Sequence, residues 1–183
     1  MTTRRVIRVA APIILVSLIA SACSGSVSFS IGGQSPEDAA ESLIEGELSD
    51  QAGVELAAAC DDLEDPGEGD SFNCTGTTPD GRIIEFVVDI GEDEVFANST
   101  NLLVPDAVPD FEQSVIDALN ANAGLNLPAG SLDCGDGALI VPQDKNVVCR
   151  LSDPNSTDIY DTTITITDQA NWRFDISVAD EPT

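Results

Sequence analysis

Four cysteines constrain this chain more than any other feature of its sequence. Cys60 and Cys74 are 14 positions apart, Cys134 and Cys149 are 15 apart, and each pair falls at the same place in a repeated pattern. Four cysteines allow three pairings, and the matched spacing favours Cys60 with Cys74 and Cys134 with Cys149. A metal site is the alternative, although the sequence has no C-x-x-C spacing and no histidine. We therefore predict two disulfides, each contributing roughly 3 kcal/mol in the chain-entropy model.

Both cysteine pairs lie in a pattern of helix, loop and antiparallel strands that occurs twice. In the first copy, Ser35 and Pro36 begin an amphipathic helix over about 36–50, because Ser is a good N-cap and Pro is favoured at the first helical position. In the second copy, a helix opens at Asp106 and Pro109 and ends near Gly124. Residues rich in β-branched and aromatic side chains predict strands at 71–75, 82–89, 94–97, 146–151, 160–167 and 172–178.

The duplicated order predicts the fold class. We expect an α+β protein of two similar small units, each with one helix packed on a short antiparallel β-meander and one disulfide. Units of about 65 to 75 residues bury little core for their size, which is a physical reason for a cross-link in each.

The first 22 residues have the layout of an export signal. Arg4, Arg5 and Arg8 precede an uncharged run over 9–22, which is shorter than the roughly 20 apolar residues that span a bilayer. The segment Leu18 to Ser24 (LIASACS) resembles a bacterial lipobox, in which a cysteine, here Cys23, becomes the lipidated N-terminus. The alternative is ordinary secretory cleavage after the A-x-A sequence at 20–22. Lipidation of Cys23 also explains the odd cysteine count, since the other four can pair.

These patterns divide the chain into four parts. We predict a signal peptide at 1–22, a lipidated tether at 23–34, a first α+β repeat at 35–100 and a second at 101–183. Val27, Phe29 and Ile31 occupy alternate positions, as in a β-strand. Part of the tether could therefore form an edge strand of a sheet instead.

Charge excludes several functions. From residue 23 onward, 4 basic residues stand against 33 acidic ones, a formal charge of −29. Such a field repels nucleic-acid phosphates, so we expect no nucleic-acid partner. The lack of histidine removes Ser-His and Cys-His catalysis and His-ligated zinc. An acidic surface adapted to salt, whose counterions screen self-repulsion, explains most of the carboxylates.

Some carboxylates could nevertheless have a chemical role. Fragments of calcium-loop patterns, without EF-hand spacing, occur in the acidic loop at 61–70, at Asp153 with Asn155, and at Asp133 with Asp136. Paired carboxylates could also hydrolyse a glycoside, although Trp172 and Phe174 fit a core better than a sugar platform. We assign no catalytic or metal-ligating residue and no cofactor.

The order of lipobox, helix, cysteine, loop, strand cysteine and hairpin resembles a small domain of unknown function in actinobacterial cell-envelope lipoproteins. The cysteine pairs and the hairpin strands IIEFVVDI and TTITITDQANWRFDISV are the matching parts, within about 36–98 and 107–179. The resemblance implies an α+β fold and an envelope location, and it supplies no catalytic residue.

Together these observations predict a membrane-anchored, surface-exposed lipoprotein on the extracytoplasmic face, acting as a non-enzymatic binding or structural module. An envelope protein or a cationic molecule would be its partner, and the sequence leaves the oligomeric state open. The alternatives are an extracytoplasmic calcium-binding protein and an envelope hydrolase that uses paired carboxylates.

Overall fold

The computed structural model describes residues 27–169 and 171–183. They form two compact units, the first built from residues up to Pro105 together with 137–142, and the second from 106–136 and 143–183. Each unit has α-helical structure and an antiparallel sheet, and each contains one disulfide. The predicted α+β fold class is confirmed.

The helical segment of the first unit follows its sequence signals closely. Helix α1 (Pro36–Leu43) continues through a π-helical turn (Ile44–Leu48) into α2 (Ser49–Ala52). The Ser35 hydroxyl accepts a hydrogen bond from the Asp38 backbone N–H at 3.1 Å, as expected of an N-cap. Gly53 ends the segment with φ +66°, a conformation that glycine adopts without steric cost.

The first sheet has five strands in the order β1-β5-β4-β3-β2. They are β1 (Val27–Ser30), β2 (Ala57–Cys60), β3 (Ser71–Thr77), β4 (Ile83–Ile90) and β5 (Glu94–Ser99). Alternate residues of β3, β4 and β5 are buried, and they pack with apolar side chains of the helical segment such as Leu43 and Ile44. The tether segment 27–30 therefore forms the edge strand that its alternation allowed, paired antiparallel with β5.

A short piece of the later sequence also belongs to the first unit. Strand β6 (Leu102–Leu103) pairs with β8 (Leu139–Ile140). The Asn101 side-chain amide donates hydrogen bonds to the carbonyls of Ile83 and Val141, both at 3.0 Å. Sequence analysis assigned 137–142 to the second repeat, whereas the structure pairs this segment with the first unit.

The second unit repeats the helix-and-meander plan. A 3-10 turn (Pro105–Ala107) leads into α3 (Val108–Ala123), which Gly124 ends with φ +66°. Its sheet has the order β11-β10-β9-β7. These strands are β7 (Leu132–Asp133), β9 (Asn146–Ser152), β10 (Ile159–Asp168) and β11 (Arg173–Val178).

The two meanders can be aligned residue by residue through their registers. Cys74 lies opposite Phe86, and Cys149 lies opposite Thr162, so Phe86 and Thr162 are equivalent positions. Two residues further along β4 and β10, Val88 lies opposite Ala97 and Ile164 opposite Ile176. This alignment makes β5 the counterpart of β11.

Core volume is distributed differently in the two copies. In the first unit, a Cβ atom on Gly76 would lie 3.0 Å from the Phe86 ring. The large ring therefore fits only because residue 76 is a glycine and has no side chain. The equivalent positions in the second unit hold Leu151 and Thr162, a large residue on β9 and a small one on β10. The Thr162 hydroxyl is buried and has no hydrogen-bond partner within the described residues.

Candidate functional site

Both predicted disulfides form, Cys60 with Cys74 and Cys134 with Cys149. Cys60 and Cys74 lie directly opposite each other on β2 and β3, and Cys134 directly follows β7, where the register of β7 and β9 continues to Cys149; the Cα–Cα distances are 4.0 and 4.3 Å. The adjacent Asp61 N–H donates to the Asn73 carbonyl, so Cys60 and Cys74 form a non-hydrogen-bonded pair, in which antiparallel strands approach most closely. The Ser152 N–H donates to the Ser131 carbonyl, and with the register of β7 and β9 this gives Cys134 and Cys149 the same arrangement.

In each unit, a glutamate of the helical segment accepts a hydrogen bond from the backbone N–H of the first cysteine of the disulfide. Glu41 accepts a hydrogen bond from the Cys60 N–H at 3.2 Å, and Glu112 accepts one from the Cys134 N–H at 2.7 Å. Because Cys60 is a non-hydrogen-bonded position of the edge strand β2, its N–H points away from β3 and needs such a partner. These two glutamates thus have the same structural role in both copies.

The first unit extends this arrangement along its helix. Glu45 accepts from the Ala58 N–H and Glu37 from the Leu63 N–H, both at 3.1 Å. Glu37, Glu41 and Glu45 recur every four residues, about 6 Å along a helix, which nearly matches the roughly 6.6 Å between alternate strand residues. Glu41 and Glu45 therefore satisfy the outward N–H groups of β2, and Glu37 satisfies one in the loop that follows it. Sequence analysis missed this role, although the four-residue spacing of the glutamates is visible in the sequence.

Two carboxyl groups titrate below their ordinary range. The pKa of Glu37 is lowered chiefly by a hydrogen bond with its own backbone, then by the Ser35 hydroxyl and the Leu63 N–H, while partial desolvation opposes these effects. The pKa of Asp80 is lowered chiefly by the Thr78 hydroxyl and, to a smaller extent, by hydrogen bonds and charge from Arg82, which lies 2.8 Å away. Neither shift indicates an acid catalyst, which would require a raised pKa.

The carboxylates considered as calcium ligands accept hydrogen bonds from backbone N–H groups two or three residues away. Asp70 accepts a hydrogen bond from Gly67, Asp133 from Gly135 and Asp153 from the Asn155 backbone, each within 2.8–2.9 Å. Across residues 27–169 and 171–183, no three Asp, Glu, Cys or His side chains come together in a way that could hold a metal ion.

Each unit has a surface groove. The groove of the first unit, about 700 Å³, lies beside the end of the helical segment and includes Glu45, Asp50 and Glu55. The groove of the second unit, about 710 Å³, lies where the loop after α3 meets the ends of β9 and β11. Its lining combines apolar side chains with Asp153 as its single carboxylate, and it consists of residues 124–128, 151–155, 160, 178 and 179.

Two aromatic residues of the second unit, Trp172 and Phe174, pack on its helix. Phe111 makes edge-to-face contacts with Trp172 and Phe174, at centroid distances of 5.9 and 5.7 Å. Packing of this kind agrees with the core role expected for both residues. The position predicted for Trp172 on the last strand is wrong, because it lies in the preceding turn with φ +47° and β11 begins at Arg173.

The predicted lipidation residue, Cys23, and the predicted signal peptide lie outside the described residues. Among the helices that the structure describes, none is both long and apolar enough to cross a membrane. No protein-family model, curated protein or solved structure matches the chain.

Proposed function

We propose that this chain is a lipid-anchored bacterial lipoprotein on the extracytoplasmic face of the cell membrane. In this proposal Cys23 carries the diacylglyceryl and acyl (palmitate) groups, and the two α+β units form a non-enzymatic binding or structural module. The proposal includes membership of the actinobacterial envelope family that the sequence resembles.

The cysteine pairing is the observation that carries the proposal. Four of the five cysteines are joined in the bonds 60–74 and 134–149, and Cys23 is the fifth. Structural disulfides are typical of proteins in oxidising compartments, which agrees with export. A cysteine that follows an export-type apolar run and has no partner among the other four is the residue that lipidation would use.

The groove of the second unit supports binding in preference to hydrolysis. Hydrolysis by paired carboxylates requires two acids within about 5–10 Å flanking the substrate. Asp153 is the single carboxylate in this lining, whereas Leu125, Leu127 and Val178 supply apolar surface of the kind that binding sites use.

Replacing the predicted lipid attachment site tests the anchor. Cys23→Ala should abolish acylation and move the protein from the membrane fraction to the soluble fraction, whereas Ser24→Ala should leave both unchanged. Acylation is measured by mass spectrometry, and location by fractionation in high salt. Membrane association of Cys23→Ala that survives high salt would refute the proposal, since only the lipid is proposed to hold this acidic chain at the bilayer.

A further inference from the structure

The outer edge of β11 differs from its counterpart in the first unit. β5 lies between β4 and β1, whereas β11 ends the second sheet, so that no strand of the described residues pairs with its outer edge. The meander alignment makes Val95 equivalent to Phe174 and Ala97 equivalent to Ile176. The first unit thus shows what a covering strand does at a position that no described strand covers in the second unit.

The backbone of β11 is arranged to accept a strand. The Ala179 N–H donates to the Asp161 carbonyl, which fixes the hydrogen-bond alternation along β10 and β11. By that alternation Phe174 and Ile176 occupy non-hydrogen-bonded positions, so their N–H and C=O groups point away from β10. In the first unit the same groups of Val95 and Ala97 face β1, in register with residues 29 and 27.

The inward-facing side chains of β5 and β11 also differ in burial. Val95 and Ala97 are fully buried in the first unit. Phe174, Ile176 and Val178 are only half-buried, although they belong to the inward-facing side of β11. An added strand would remove more of these apolar side chains from water and satisfy the open backbone groups, which together provide affinity in strand addition.

Charge defines the kind of strand that fits. Asp175 is exposed on β11, Asp161 on β10, and Asp180 and Glu181 follow the strand, whereas Arg173 is the basic residue of β11. Residues 23–183 of a second copy of this chain would bring another −29 of formal charge to the same edge. A basic segment is attracted to this edge, while an acidic copy is repelled.

We propose that the open edge of β11 binds an extended segment of a partner protein in which apolar residues alternate with lysine or arginine. The segment adds to β11 as β1 adds to β5, placing apolar residues beside Phe174 and Ile176 and basic residues near Asp175. This inference deepens the proposed binding function and rests on it, but it does not depend on the lipid.

The test uses the full chain as purified, in nanodiscs of zwitterionic lipid if it is acylated and free in buffer if it is not, together with synthetic ten-residue peptides. The probe peptide alternates Val, Phe and Ile with Lys, one control has the same composition in a non-alternating order, and another has Glu in place of Lys. Binding is measured by fluorescence anisotropy against empty nanodiscs, and backbone protection by hydrogen exchange resolved to single amides.

We expect the Phe174 and Ile176 amides to exchange at least tenfold faster than those of Val95 and Ala97 in the free protein. The alternating basic peptide should slow them at least tenfold, and neither control peptide should. Asp175→Lys should weaken binding about three- to tenfold, whereas Asp62→Lys, the same charge change at an exposed loop position of the first unit, should not.

A proline variant tests the backbone contact separately. Ile176→Pro removes an N–H that β10 does not use, so the sheet keeps its own hydrogen bonds while peptide binding should be lost. Ile176→Val retains the N–H and should bind within about twofold of the parent. Equal binding of Ile176→Pro and Ile176→Val, in proteins with unchanged circular dichroism, would overturn the proposal.

Other outcomes would also overturn it. Equal binding of the scrambled peptide would show attraction by charge alone. Slow exchange at Phe174 and Ile176 in the free protein, with the mass of a dimer in solution, would show that a second copy fills the edge. Because peptide binding is scored independently of Cys23 acylation, failure of the strand site and failure of the lipid anchor give different results.

Discussion

The buried Thr162 hydroxyl provides the sharpest test of how the second core is packed. Thr162→Val replaces the hydroxyl by a methyl group of similar volume and keeps the β-branched shape that suits a strand. Thr162 is fully buried and its hydroxyl has no hydrogen-bond partner within the described residues. Leaving such a group unsatisfied costs about 1–3 kcal/mol, so the substitution should stabilise the protein by about 1–2 kcal/mol.

Thr165 on the same strand is the matched control. Its hydroxyl donates to the Asn146 side-chain oxygen at 2.8 Å, so Thr165→Val removes a hydrogen bond and should destabilise by about 1 kcal/mol. Urea unfolding of both variants measures the two changes in the free energy of unfolding. The heat-denaturation midpoint should shift by about 4–8 °C per kcal/mol for a unit of this size. A Thr162→Val protein that is destabilised as much as Thr165→Val would refute the reasoning.

Three further predictions concern the Glu112 carboxylate beside the second disulfide, the packing of Gly76 in the first unit and the pKa of Glu37. Glu112→Ala should destabilise by about 1–3 kcal/mol, because it removes a carboxylate acceptor from the Cys134 N–H, and Glu112→Gln should recover part of the loss in urea unfolding. Gly76→Ala should cost about 1–3 kcal/mol through crowding against Phe86, measured in the same way, and an unchanged midpoint would contradict that contact. Because the folded-state pKa of Glu37 is lowered, its contribution is present above its ordinary pKa and is lost as pH falls through the lowered value. The stability difference between the parent and Glu37→Gln should therefore shrink as pH falls below the ordinary Glu pKa of about 4.3 and disappear below the lowered pKa of the folded state, and a difference that grew on acidification would have the wrong sign.

Local signals in the sequence predicted much of the fold. Ser35 with Pro36 marks a helix start, Gly124 marks a helix end, and the strong alternation in the last hairpin predicts paired strands, because each depends on neighbouring residues. The cysteine spacing predicted both disulfides, since nearly equal separations of 14 and 15 residues in two copies of one unit favour this pairing over the other two.

Long-range features escaped sequence analysis for physical reasons. The pairing of β6 with β8 joins two-residue strands, which are too short to show a period. The glutamates on α1 read as a solvated acidic surface, because a carboxylate that accepts a backbone N–H has the same sequence signature as one in water. The open edge of β11 became visible only when the two sheets could be aligned strand by strand.

The most direct test of the proposed lipoprotein is peptide mass spectrometry of the membrane fraction, with and without reductant. The account predicts a diacylglyceryl-modified, acylated Cys23 at the mature N-terminus and the bonds 60–74 and 134–149, which open only on reduction. An unmodified chain that begins at Cys23, or one in which Cys23 forms a disulfide with any of the other four cysteines, would contradict the lipid anchor.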